Sequence, residues 1–312
     1  MIAVEYDRYG DASVLVARER PVPHVRPGHV VVRVRAAALN PKDVLTRAGK
    51  YPWLAGRRFP KRIGYDWAGE AVAIGAGVRG IREGDALFGM IQAWQGGACA
   101  EYALVRADEL APRPIGLDWT GAAALPLASL TALQALRELG ALAAGQRVLL
   151  NGASGGVGVH AIQIAKALGA HVSTLTSAGN AELVRALGAD ETLDYATWSP
   201  RAPAAPYDVI FDIFGNRRFR DLRPLLTARG TFISTVPKPA VILARMRTAL
   251  SHPRARLVVV RSTTADLEAL SALVGRGALR PVVDRSFPLA DLAEAHRYLA
   301  TKRARGKIVV TT

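Results

Sequence analysis

The chain has one cysteine, Cys99, in 312 residues. A lone thiol excludes an internal disulfide framework and any zinc site built from several cysteines. Aromatic residues are scarce, at 6%. Arg or Gly interrupts every apolar run before the roughly 18 residues that a membrane-crossing helix needs. No fixed-period repeat or low-complexity tract is present, and the 29 glycines and 18 prolines are near average for this length. The six histidines (His24, His29, His160, His171, His252 and His296) are isolated, with no pair at metal-ligand spacing. Acid is short as well: 26 Asp and Glu stand against 41 Lys and Arg, a net charge of +15, and only seven of the basic residues are Lys.

The arginines run through the whole chain with no basic tail and no interleaved aromatics, so no nucleic-acid partner is expected. Two readings of the excess charge remain: solvated surface, or a surface that attracts a phosphorylated cofactor. No membrane partner is expected, and the opening MIAVEYDRYG reads as the start of a strand and not as a leader. A soluble, reducing, cytoplasmic setting is the expectation. Apolar material is plentiful: hydrophobic residues make up 50% and charged residues 21%, enough for two domains or one large one.

Residues 1 to about 115 hold short Val-rich runs separated by turns. VVVRVRAAA at 30–38 alternates as a half-buried strand does, and 69–78 and 85–90 read as further strands. From Trp119 helices and strands alternate. Helices are expected at 122–140, 157–168 and 181–187, each closed by glycine, and strands at 147–151, 172–176, 191–194, 208–212 and 230–235. Alternation of this kind implies right-handed crossovers and a parallel sheet. Helices at 265–274 and 289–299 and strands near 281–284 and 307–310 close the chain.

Residues 147–158, RVLLNGASGGVG, run from a buried strand through a glycine-rich turn into a helix. Glycines there let backbone N–H groups approach a pyrophosphate, and the helix N-terminus adds its positive dipole end. Ser154, Gly155, Gly156, Val157 and Gly158 are the expected cradle, with all three glycines excluding side chains for the ligand's sake. Dinucleotide sites that prefer NADH often carry Asp or Glu at the end of the second strand. Here stand Thr176-Ser177-Ala178-Gly179-Asn180, without a carboxylate to repel a 2′-phosphate. Ser177 and Asn180 can donate to one, so NADPH is the expected cofactor, although no Arg or Lys lies in the turn. Tyr195 is either a wall of the adenosine site or an ordinary boundary aromatic.

A series of segments in order carries a family resemblance: LNPKDVLTRAGKYP (39–52), IGYDWAGEAVAIGAGV (63–78), GDALFG (84–89), GGACAEY (96–102), LPLASLTALQAL (125–136), NGASGGVG (151–158) and HRYLATKRARGKIVV (296–310). The chain resembles the medium-chain dehydrogenase/reductase superfamily over essentially its full length, and within it the zinc-independent quinone oxidoreductase branch. The resemblance implies an α/β fold: a Rossmann doubly wound parallel sheet inserted in a GroES-like β-rich catalytic domain. The implied boundaries are 1–116 for the catalytic domain, 117–261 for the NADPH-binding domain and 262–312 for the return to the catalytic domain. A homodimer is left open.

Zinc alcohol dehydrogenases of the superfamily carry metal ligands where Asn40 and the Gly64-Tyr65-Asp66 segment stand here, so no metal is expected. Hydride transfer to an already activated acceptor remains: a quinone, or an enone or enal C=C bond. The alternatives are a reductase for one enoyl or polyketide intermediate of a pathway, and a non-catalytic NADPH-binding sensor or RNA-binding protein. Four polar residues of the matched motifs are the catalytic candidates, and the resemblance puts them beside the interdomain cleft. Asn40 can orient the substrate or the nicotinamide ribose. Lys42 can stabilise an oxyanion, donate a proton, or simply face solvent. Tyr51 can donate to a substrate carbonyl, and Tyr65 should point into the space a metal would fill. Asp43 either orients Lys42 or Arg47 or holds the turn, and Cys99 reads as inert packing. The segment 241–250 followed by Arg254-Ala255-Arg256 is either a contact for an acidic substrate or a solvated amphipathic helix.

Overall fold

The computed structural model describes residues 1–312 except 57, 95 and 202–204. The chain divides into two compact units, one of Met1–Leu130, Arg261–Arg276 and Pro281–Thr312, the other of Thr131–Val260 and Gly277–Arg280.

The first unit is built on a mixed sheet in which the strands Val283–Pro288, Lys307–Thr311, His29–Leu39, Asp66–Ile74, Ala86–Met90 and Leu110–Pro112 lie in that order, with Tyr102–Arg106 also paired to His29–Leu39. A smaller sheet joins Val16–Glu19, Ile2–Tyr6 and Lys61–Arg62. In the long strand Val30, Val32 and Val34 are buried on one face; on the other, Arg33 is exposed but Val31 is buried too, so alternation is only partial. At its end Ala36, Ala37 and Ala38 are all buried, which lets other layers approach both faces. The last strand pairs antiparallel with it, Ile308 opposite Leu39, so the end of the chain is sewn into the middle of this sheet.

The second unit holds a six-stranded parallel sheet, in the order Glu191–Asp194, His171–Thr176, Arg147–Asn151, Tyr207–Asp212, Leu226–Ser234, Arg254–Leu257. Leu149, Leu175, Ile210, Phe232 and Ala255 pack as one buried cluster on it. The helix Gly156–Ala167 follows the third of these strands directly through the glycine turn.

Three features differ from expectation. The helix expected at 122–140 is three pieces, Trp119–Ala123, Pro126–Leu133 and a π-helical stretch Gln134–Leu139. Pro126 cannot continue a helix and begins a new one, a position that tolerates its missing N–H. Residues 117–130 lie with the first unit, because the helix Trp119–Ala123 packs on the strands His29–Leu39 and Asp66–Ile74. The strand Arg254–Leu257 has no counterpart in the expected elements: its period-2 pattern is hidden by arginines on one face and Ala255 and Leu257 on the other. Among the described residues no helix is long and apolar enough to cross a membrane.

Candidate active site

In the first unit, Asn40 ends the long strand and Pro41 opens the short helix Pro41–Arg47. Asp43 holds this junction. One of its oxygens accepts from Asn40 N (2.8 Å) and the other from Gly64 N (3.0 Å). Gly64 has a φ of +90°, and a Cβ there would lie 2.6 Å from Cys99 N, so only glycine fits. Asp43 is wholly buried. Burial pushes its carboxyl up to about 7, against the two N–H bonds that favour the carboxylate, and the nearby Asp66 charge adds to the rise. Both of its oxygens bind backbone, so Asp43 holds the turn.

The helix presents Lys42 to an aromatic wall. Its Nζ lies 3.7 Å from the centre of the Tyr65 ring and 4.5 Å from that of Trp94. Burial brings its pKa down to about 8, opposed by the charges of Asp43 and Asp66. The Tyr51 ring meets Trp94 edge-on, with centroids 5.8 Å apart at 62°. Tyr65 Oη donates to the Trp94 carbonyl (3.0 Å) and lies 3.5 Å from Thr46 Oγ1; burial raises its pKa. Three of the four expected residues therefore gather around Trp94, Lys42 and Tyr51 at its indole and Tyr65 at its carbonyl. Trp94 carries no motif of its own, and only its place just before the Gly96-Gly97 turn marks it in the sequence. The arrangement offers flat apolar faces beside an amine poised to release a proton near neutral pH.

Asn40 is placed differently. It is 2% exposed, and its amide Nδ2 donates to Asp66 Oδ2 (2.9 Å) while Oδ1 accepts from Lys307 Nζ (2.6 Å). Lys307 Nζ also reaches Asp66 Oδ2 (2.9 Å), and Asp66 Oδ1 accepts from Leu127 N (2.8 Å) at the start of the helix Pro126–Leu133. The substrate-orienting role expected of Asn40 is corrected to a positioning one, because its amide is spent inside this knot. The same knot bears on whether these positions fit a metal. Where zinc-dependent dehydrogenases place metal ligands, this chain offers an amide oxygen and a carboxylate already bound to a buried ammonium. Cys99, the chain's one cysteine, is buried, and burial holds its thiol well above its ordinary pKa. These residues do not fit a catalytic zinc.

In the second unit the helix Gly156–Ala167 starts without a side-chain cap. Its first N–H groups have no intrahelical acceptor. At its N-cap, Gly155 has φ −82° and ψ 175°, a conformation open to any residue, and the nearest atom to a Cβ there would be Gly152 O at 3.7 Å. Neither backbone nor packing within the chain demands glycine at 155, as expected where a phosphate comes close. Gly158 is the opposite case. A Cβ would press on Gly152 O and come within 2.5 Å of the Ala153 carbonyl. The ligand role expected of Gly158 is therefore corrected to a packing role, the close approach of helix to turn.

Ser154 Oγ accepts from Thr176 Oγ1 (3.1 Å) and Asn180 Nδ2 (2.9 Å), tying the glycine turn to the end of the strand His171–Thr176. Ser177 begins the next turn and makes no capping bond there. Tyr195 N donates to Thr176 O (3.0 Å), which puts Tyr195 at the same end of the sheet with its ring 56% exposed. Asp194, in register with Thr176, spends Oδ1 on Ala196 N (3.0 Å). Not expected from the sequence is Arg217. It follows Asn216, whose Oδ1 accepts from Asn151 Nδ2 (2.8 Å), and its guanidinium lies 5.3 Å from the centre of Trp198 with a buried, unpartnered Nε. Arg217 is thus a cation at the glycine-turn end of the sheet, which its distance from the turn in sequence conceals. Glycine turn, uncapped helix and neutral ribose-side residues together fit a phosphorylated dinucleotide.

Residues 26–115 match the family model described as alcohol dehydrogenase GroES-like domain, and residues 187–310 match that described as zinc-binding dehydrogenase. A chloroplast envelope quinone oxidoreductase homolog of Arabidopsis thaliana is 33% identical over 99% of this chain and 98% of its own. An NADPH-dependent alkenal/one oxidoreductase of the same plant is also 33% identical, over 99% of this chain and 79% of its own. Among solved structures, the quinone oxidoreductase of Coxiella burnetii superposes with a TM-score of 0.91 at 31% identity, covering 100% of this chain and 99% of that one.

Proposed function

The chain belongs to the quinone oxidoreductase branch of the medium-chain dehydrogenase/reductase superfamily, whose members are nicotinamide-dependent oxidoreductases, and from that premise we propose that it uses NADPH to reduce quinones or C=C bonds conjugated to a carbonyl, without a metal. The observation that carries this reading is the Lys42 amine held against Tyr65 and Trp94.

When bound, NADPH supplies the hydride; everything else falls to the protein. Backbone N–H groups of Gly156 and Val157 would hold the pyrophosphate over the open space beside Gly155, with Ser154 bracing the turn and Gly158 letting the helix approach it. Ser177 and Asn180 receive the 2′-phosphate, and Tyr195 walls the adenosine. Arg217 adds positive charge at that end of the sheet. Tyr51 and Trp94 give a planar acceptor ring or enone an apolar face. Lys42 keeps a proton on Nζ and delivers it to the oxygen that gains charge, the enolate or phenolate oxygen of the reduced acceptor. Its lowered pKa suits this role, since an ammonium near 8 gives up a proton far more readily than one near 10.5. Asn40, Asp43, Asp66 and Lys307 do no chemistry; they fix the helix that carries Lys42.

The deciding assay follows NADPH oxidation with 9,10-phenanthrenequinone and with a simple enone, before and after chelator. Turnover of at least one acceptor, unchanged by chelator, is expected. No turnover of either by a chain that binds NADPH tightly would refute the reaction assigned here. Loss of activity together with stoichiometric zinc would refute the metal-free mechanism.

A further inference from the structure

The second unit contains a cavity of about 350 Å³ lined by Gln146, Arg229, Thr231, His252, Arg254 and Arg256, with Glu138 at its edge. Its location separates it from the glycine turn. Gln146 precedes the strand Arg147–Asn151, whose far end opens that turn. Five strand residues span about 16 Å, so the cavity sits at the opposite edge of the parallel sheet.

Charge in this cavity is unbalanced. In the strand Arg254–Leu257, Ala255 is buried in the core, so Arg254 and Arg256 both stand on the other face, opposite Thr231 and Ile233 in register. Between Asp221 and Asp266 the chain has seven arginines and one lysine but no acidic residue. Among the described residues, Arg229, Arg254 and Arg256 form no ion pair, and Arg254 Nε is buried without a partner. Glu138, the one carboxylate at the edge, binds Arg137 Nη2 at 3.0 Å. Burial and the neighbouring charges of Arg254 and Arg245 pull the Arg256 guanidinium below its usual pKa. Guanidinium groups gathered in a half-buried hollow repel one another unless an anion joins them, and their planar forks suit phosphoryl oxygens.

We propose that this cavity is a second anion site, distinct from the cofactor cradle, which takes a phosphoryl dianion of the size of pyrophosphate or a small phosphate monoester. Gln146 and Thr231 add neutral donors to its lining, and the exposed His252 adds a third type of donor. The site does not depend on the reaction proposed above.

The probe is inorganic pyrophosphate, titrated calorimetrically into the full chain at constant ionic strength, with and without saturating NADPH. Under saturating NADPH, which fills the glycine turn, one saturable site is expected to remain. Arg254→Gln and Arg256→Gln should each weaken it roughly tenfold or more, the loss of one charge-assisted hydrogen bond, with NADPH affinity unchanged. Without the anion these variants should melt at or above the parent, because a like charge has been removed; with pyrophosphate the parent should overtake them. Arg229→Gln, at an exposed position, repeats the test if either strand variant fails to fold. Equal binding by parent and variants would overturn the proposal, as would competition by NADPH, which would move the binding to the glycine turn. Absence of binding, with variants that lose a dimer the parent forms, would assign the arginines to a subunit interface and overturn it equally.

Discussion

Gly155 and Gly158 lie three residues apart in one turn, yet replacing each by alanine should have opposite consequences. At Gly155 the conformation suits any residue and a Cβ has open space, with Gly152 O nearest at 3.7 Å. Alanine there restricts the unfolded chain, a gain of about 0.4–1 kcal/mol. It is also a poorer N-cap than glycine by about 0.5–1 kcal/mol. The two nearly cancel, so the Tm should stay within about 4 °C of the parent. The added methyl does stand between the helix N–H groups and a pyrophosphate. Losing one charge-assisted hydrogen bond costs about 1.5–3 kcal/mol, which is roughly tenfold to 150-fold in NADPH affinity. At Gly158 the methyl meets backbone, the Ala153 carbonyl at 2.5 Å, and neither the turn nor the helix can step aside cheaply. A clash with backbone sets the overpacking cost near the top of its usual range, about 3 kcal/mol; after a helix-propensity gain of about 1 kcal/mol the net loss of about 2 kcal/mol should lower the Tm by about 4–8 °C. Calorimetric titration with NADPH beside a thermal melt separates the two. A Gly155→Ala chain that binds NADPH as the parent does would show that the pyrophosphate does not lie on this turn. A Gly158→Ala chain that melts with the parent would show that the helix and turn are not held as closely as the structure has them.

In the proposed mechanism Lys42 acts only while protonated, and burial brings its pKa down to about 8, so the rate of the proton-dependent step should fall as pH rises through about 8. Lys42→Met should abolish that alkaline limb and slow turnover roughly 10²–10⁴-fold with little change in Tm; a rate and pH profile like the parent's would remove Lys42 from the chemistry. Lys307→Met strands the Asp66 carboxylate, 0% exposed, without its ammonium. Breaking a buried pair this way costs about 3–5 kcal/mol, a Tm loss of about 6–20 °C, and a melt within 2 °C of the parent would mean that the knot bears no weight. Ser177→Asp sets a carboxylate where the 2′-phosphate is received; NADPH should bind roughly tenfold or more weakly while NADH holds, and equal loss of both, or of neither, would place the 2′-phosphate elsewhere.

The division between what sequence and fold each decide follows the range of the interactions. The strand Arg147–Asn151, the glycine turn after it and the helix beyond are legible from the chain alone, because strand, turn and helix are contiguous and each carries its own local signal. The strand Glu191–Asp194 is legible for the same local reason. Lys42, Tyr51 and Tyr65 stand out through the motifs that hold them, but Trp94, the ring that brings them together, does not, since no local pattern marks it. Two glycines of one motif, 155 and 158, look alike until the backbone around each is built. The arginines of 254–257 conceal a strand, because charge on one face masks the apolar residues that bury the other. Above all, only the tertiary fold decides that Lys307 closes on Asn40 and Asp66, 267 and 241 residues away. Antiparallel register between the last strand and the long central one lays the Lys307 ammonium on the side-chain oxygens of Asn40 and Asp66, a contact that no local pattern in the chain marks.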